Sequence, residues 1–127
     1  MPRSLFSMCL FAFILFLMSA AYAEPLELEI VVSPGTIAVE SDGEWVSVHT
    51  DIALSAVDTA SLKLNGLPVS WTKADARGNL VAKFDANQVK AIVTPDETAL
   101  TLTGLTTDRT PFSGTDTVRV KGADPLH

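Results

Sequence analysis

From residue 26 onward, polar and apolar residues alternate one for one in short runs, and turn-forming clusters separate the runs. Leu26, Leu28, Ile30 and Val32 alternate with Glu27, Glu29 and Val31. The same period recurs at Val46 and Val48, at Leu62 and Leu64, at Leu80, Ala82 and Phe84, at Leu100 and Leu102, and at Val118 and Val120. A period of two puts successive side chains on opposite faces of an extended strand, so each run reads as a strand buried on one side. Ser33-Pro34-Gly35, Ser41-Asp42-Gly43, Asn65-Gly66 and Thr94-Pro95-Asp96 break the runs. Turn signals roughly every 8 to 12 residues are the spacing of a β-sandwich. A parallel α/β sheet is excluded, because no amphipathic helix of about 10–15 residues lies between the strands. The fold class expected is all-β: an immunoglobulin-like antiparallel β-sandwich of about seven or eight strands.

Local chemistry refines this. Residues 36–40 and 44–51 read as a hairpin across the Asp42-Gly43 turn. Residues 51–59 read as a connecting loop with a short helical turn, and 73–79 as a polar loop. Pro68 suits an edge strand, since it cannot donate to a ladder. Asp85, with Gln88 three residues on, reads as a capping box that starts a helical turn carrying Val89 and Ile92. Thr110 to Lys121 closes the chain as a final strand. Its Phe112 is a core anchor, and its Gly114 permits a bend or a close backbone approach. Asp116 is placed on the solvent face, opposite Val118, or bonded to a turn.

Met1 to Ala23 has the form of a cleavable signal peptide. Arg3 supplies the positive start, Leu5 to Met18 the apolar run, and Ala21-Tyr22-Ala23 the cleavage site. The run of about 14 residues is short of the ~20 a bilayer span requires. The expected domains are therefore 1–23, the signal peptide, and 24–127, the sandwich, which is exported to the periplasm or beyond the cell. Cleavage leaves about 104 residues, enough for one core. It also removes every Met, the only Cys and the only Tyr, leaving Trp45, Trp71, Phe84 and Phe112 as the aromatics. No disulfide framework is then possible, so stability rests on packing and sheet hydrogen bonds. With fifteen acidic groups against eight basic ones once Arg3 leaves, the balance opposes nucleic acid as a partner. No membrane span remains after cleavage.

The reactive inventory is short. Nucleophilic catalysis requires a Cys, or a Ser or Thr beside a base. The two histidines are His49, in a strand, and His127, at the terminus. Asp51 near His49 is too little for a triad, and no G-x-S-x-G elbow exists. Soft-metal sites require Cys, Met or clustered His, which the mature chain lacks. Asp85 and Asp116 as a glycosidase pair are outweighed by capping and solvent-face roles, since such a pair needs a cleft. The expectation is no catalytic residue and no cofactor. Trp45 lies in phase with His49 and out of phase with Val46 and Val48, so a binding face containing Trp45 and His49 is expected. Trp45 and Trp71 read either as an aromatic platform for sugars or as cross-strand packing residues.

Several stretches carry a resemblance. They are Gly43-Glu44-Trp45-Val46, Leu62-Lys63-Leu64-Asn65-Gly66, Leu80 to Asp85, Leu100 to Gly104, and Thr110-Pro111-Phe112 with Asp116-Thr117-Val118-Arg119-Val120. Together they resemble small immunoglobulin-like modules of secreted bacterial and archaeal proteins that end in a T-P-F-x-G-x-D-T-[IV]-R-V motif. The resemblance implies a non-catalytic accessory or adhesion-type domain. Such modules often carry a calcium-type acidic loop before the L-x-x-K-F-D strand. Here that loop is Lys73 to Asn79, with Lys73 in place of an acid. Asp75 and Asn79 are its remaining oxygen donors, against the six to eight that calcium takes, so no metal is expected. Arg109 replaces the glycine of the family's D-G-T-P-F turn, and a different backbone conformation is expected there. The functional expectation is a structural or interaction module with a protein or envelope-glycan partner. A carbohydrate-binding module using the Trp face, and a small periplasmic enzyme or enzyme inhibitor, are the rival readings.

Overall fold

The closing hairpin is the longest paired unit among the described residues. In the computed structural model, which describes residues 25–40 and 43–122, β9 (Glu97–Thr106) and β10 (Pro111–Lys121) run antiparallel from Pro111↔Leu105 to Arg119↔Glu97. The remaining strands are β1 (Leu26–Glu27), β2 (Ile30–Ser33), β3 (Thr36–Ala38), β4 (Trp45–Ala53), β5 (Val57–Leu64), β6 (Leu67–Pro68), β7 (Trp71–Ala74) and β8 (Asn79–Asp85). One helix, α1 (Ala86–Ile92), joins β8 to β9. The expected leader Met1–Ala23, most of the Ser41-Asp42-Gly43 turn, and His127 lie outside the described residues.

The ten strands of the described residues form two sheets. The order β1-β10-β9-β5-β6, with β3 also on β10, makes the six-stranded sheet; β2-β4-β8-β7 makes the four-stranded one. The alternating residues of both meet between them. Phe84, Phe112, Leu62, Leu64, Leu80, Leu100, Leu102, Val48, Val89 and Val118 are all fully buried. Burying each such side chain contributes about 1.5–3 kcal/mol. The β-sandwich expected from the alternation is the observed architecture, with ten strands among the described residues in place of seven or eight and with two parallel pairings, and Phe112, Val118 and Val120 sit in its core.

The N-terminal segment weaves between the sheets. β1 and β3 both pair in parallel with β10, whereas β2, between them, pairs with β4 in the other sheet. Gly114 makes the crossing possible: a Cβ there would lie 2.7 Å from both Leu28 O and Ile30 Cγ2. This is the close approach read from the sequence. The hairpin expected across Asp42-Gly43 does not form. β3 lies on β10 and β4 lies between β2 and β8, so the chain changes sheets where a tight turn was expected. Residue spacing alone cannot separate a hairpin from a sheet-to-sheet crossing, because both need the same turn residues.

Other expectations need adjustment. The 51–59 loop is shorter than expected: β4 continues to Ala53 and β5 starts at Val57, with a 3-10 turn at Leu54–Ala56 between. Likewise β7 runs to Ala74, confining the polar loop to 75–78. Asp85 caps α1 through Asn87 N at 2.8 Å, and Val89 is buried. Asp116 is not on a solvent face. Residues two apart share a side of a strand, so Asp116 shares that of Val118. Its Oδ2 accepts the Val32 N–H at 2.9 Å, joining β10 to β2 across the sheets. Arg109, expected to depart from the glycine conformation, instead adopts φ +73°, inside the left-handed region that glycine favours.

Candidate recognition face

Antiparallel pairing fixes which side chains share the outer face of the four-stranded sheet. Val31 stands opposite His49, and Ser33 opposite Ser47. Across the next seam, Trp45 is opposite Asp85, Ser47 opposite Lys83 and His49 opposite Val81. At the edge, Trp71 is opposite Lys83, and Lys73 opposite Val81. Because Val46, Val48, Ala82 and Phe84 fill the core, the out-of-phase residues of β4 and β8 must face away from it.

Trp45 and Trp71 therefore reach toward each other over β8. Their ring centroids are 5.9 Å apart and their planes 87° from parallel, an edge-to-face pair. Each keeps about two-fifths of its surface in water, 40% for Trp45 and 42% for Trp71. Lys83 Nζ lies 5.7 Å from the Trp71 ring centre and donates to Ser47 Oγ. The ammonium is thus held by a hydroxyl beside the negative face of an indole. Val31 is 61% exposed on the flank, whereas Val81 is buried outside the main core cluster. Trp45 and His49 lie on the same side of β4, both exposed, with the buried Ser47 between them. Sequence reading placed Ser47 between Trp45 and His49 and weighed Trp45 with Trp71 as a platform or a packing pair, but missed Lys83. Lys83 was legible from its phase, between the inward Ala82 and Phe84. The Trp–Trp pair needed the register, which no local signal gives.

The residual calcium-type donors occupy the β7–β8 turn at the edge of this sheet. Asp75 Oδ1 accepts the N–H groups of Arg77 at 2.8 Å and Asn79 at 3.0 Å. Those N–H groups, Asn79 foremost, hold the Asp75 carboxyl below the ordinary carboxylate value. Gly78, at φ +84°, completes the turn. Asp75 is accounted for as a turn former. No group of three or more His, Cys, Asp or Glu that could hold a metal occurs among the described residues.

Asp85 and Asp116 are not brought together: one faces outward on β8, the other points inward from β10. An open depression of about 630 Å³ lies among Thr36, Asp96, Glu97, Arg119, Val120 and Lys121. A smaller one, about 290 Å³, lies by Glu27, Leu28 and Ser113 to Thr115. His49 lines neither. Among the described residues no helix is long and apolar enough to cross a membrane.

No family model and no curated protein matches this chain. Two solved structures are similar to it. CopC from Methylosinus trichosporium OB3b is 18% identical, with a TM-score of 0.44, covering 79% of this chain and 99% of CopC. A 1.5-MDa bacterial ice-binding adhesin, described for its retention at the host cell surface, is 20% identical, with a TM-score of 0.41. That match covers 79% of this chain and 32% of the adhesin chain, so this chain spans about a third of its length.

Proposed function

We propose that this chain is a non-catalytic recognition module that acts outside the cytoplasm, through the outer face of its four-stranded sheet. The observation that carries this reading is the exposed edge-to-face pair of Trp45 and Trp71, with Lys83 beside it. Exposed apolar surface rimmed by polar groups is the mark of an interaction site, and Trp is over-represented among residues that dominate binding energy. The inner face of the same sheet is committed to the core, so only this side is free to recognise anything. The signal-peptide pattern of Met1–Ala23 supports a site of action outside the cytoplasm.

Sedimentation of the purified, labelled protein with cell envelopes from its native host tests the proposal. Saturable binding is expected, and the double variant Trp45→Ala/Trp71→Ala weakens it by about tenfold or more. Thr101→Ala/Thr115→Ala, on the outer face of the other sheet, leaves it unchanged. Equal binding by wild type and the Trp double variant contradicts the proposal.

A further inference from the structure

The dimensions of the face restrict what it recognises. Trp45 and Trp71, exposed at 40% and 42%, each offer about 100 Å² if a whole indole side chain presents ~250 Å². Even with Val31 added, the exposed apolar area falls short of the apolar share, a little over half, of the ~800 Å² per partner that a standard protein interface buries. It is instead the scale of one or two sugar rings. The polar groups between the indoles are matched for a neutral polyol. Lys83 donates and Asp85, two residues away on the same strand, accepts, while the buried Ser47 hydroxyl holds the lysine in place beneath them. Lys83 and Asp85 offset one another between the indoles, and the second lysine of the face, Lys73, stands farther along β7 opposite Val81, so the ground between the two rings favours neither an anion nor a cation. A pyranose ring has an apolar C–H face and hydroxyls around its rim, which complements indole surface bordered by such groups. Two perpendicular rings cannot both lie flat under an extended, crystalline chain. They form a corner, floor and wall.

We infer that the ligand of this face is a neutral sugar unit of a soluble glycan, seated in the corner between Trp45 and Trp71. The inference rests on the recognition-face reading above and adds the ligand class. Because the chain has two tryptophans and both lie here, intrinsic fluorescence reports on this site alone. The experiment titrates the protein with cellohexaose, chitohexaose and mannohexaose, and with polygalacturonate as an anionic control. A saturable change in emission with at least one neutral hexaose is expected. Trp45→Ala and Trp71→Ala, each retaining one reporter, weaken it by about tenfold or more. Lys83→Gln and Asp85→Asn guard against misfolding as the cause. Asn retains the helix cap, and these two weaken binding by about threefold or more with the melting temperature held, a difference of ~0.7 kcal/mol. No response to any neutral hexaose at millimolar concentration, or a response to polygalacturonate alone, overturns the inference. If the Trp double variant loses envelope binding while every neutral oligosaccharide is silent, the sugar assignment falls and the recognition face stands. If envelope binding is also indifferent to that variant, both fall.

Discussion

Arg109 sits at φ +73° in the β9–β10 turn, where an L side chain crowds its own carbonyl. Its one ion pair, to Asp58 at 3.8 Å, is between exposed groups and offsets little of that cost. The neighbouring bonds hold the turn: Asp108 accepts from Thr106 Oγ1 and Thr110 Oγ1, and Arg109 N donates to Thr106 O at 3.0 Å. Arg109→Gly is therefore expected to stabilise the fold by about 0.5–1 kcal/mol: relief of ~1–2 kcal/mol of left-handed strain exceeds the added entropy of glycine in the unfolded chain. Urea denaturation measures it as a higher midpoint at unchanged slope. An unchanged or lower midpoint would show that the ion pair matters more than the backbone. Reading Arg109 as a departure from glycine conformation followed residue identity. The bonds made by Asp108 and by Arg109 N run within residues 106–110, so the signal lay in Thr106, Asp108 and Thr110 around Arg109 and not in the identity of Arg109 itself.

At the level of elements, the join between β2 and β10 is the least conventional part of the molecule. Val32 N–H points away from β4 to the Asp116 carboxylate at 2.9 Å, so a side chain supplies the acceptor that a missing neighbour strand would have offered. Asp116→Ala leaves that N–H without its partner and is expected to cost about 1–3 kcal/mol. Asp116→Asn keeps an oxygen there and costs less. Thermal melting of both variants checks the order, and equal losses contradict it. The turn carboxylates Asp75 and Asp108 also act through backbone and hydroxyl donors. Asn79 and Arg77 N–H groups depress the first; Thr106 and then Thr110 depress the second. A depressed native pKa means that their contribution is present above the unfolded value, 3.8, and is lost as pH falls through the lower native one. Carboxyl NMR titration should place both midpoints below 3.8, and midpoints at or above it would refute the role given to these turns. Strand interiors were legible because a period of two needs only neighbouring residues. The Asn65-Gly66 hairpin was legible because φ +48° and +87° suit that dipeptide. The sheet changes at β1–β3 were not. Three short pieces choosing between β10 and β4 is a tertiary decision, made by Gly114 and Asp116 far along the chain.

For the whole molecule, the two outer faces differ in kind. That of the six-stranded sheet presents hydroxyls in cross-strand register, with Thr101 Oγ1 and Thr115 Oγ1 2.9 Å apart. The four-stranded sheet presents the two indoles, Lys73, Lys83, Asp85 and His49. The phase of β4 already put Trp45 and His49 on one side. What the sequence could not show was that β7 brings Trp71 to the same place across β8, since that depends on the sheet order. The account stands on this asymmetry: recognition belongs to the indole face and not to the hydroxyl face. The most direct test places a photo-activatable benzoylphenylalanine at His49 in one version of the full chain and at Thr115 in another, each irradiated in the native host. A discrete adduct from position 49 and none from position 115 is the expected result. Adducts from position 115 alone would contradict it.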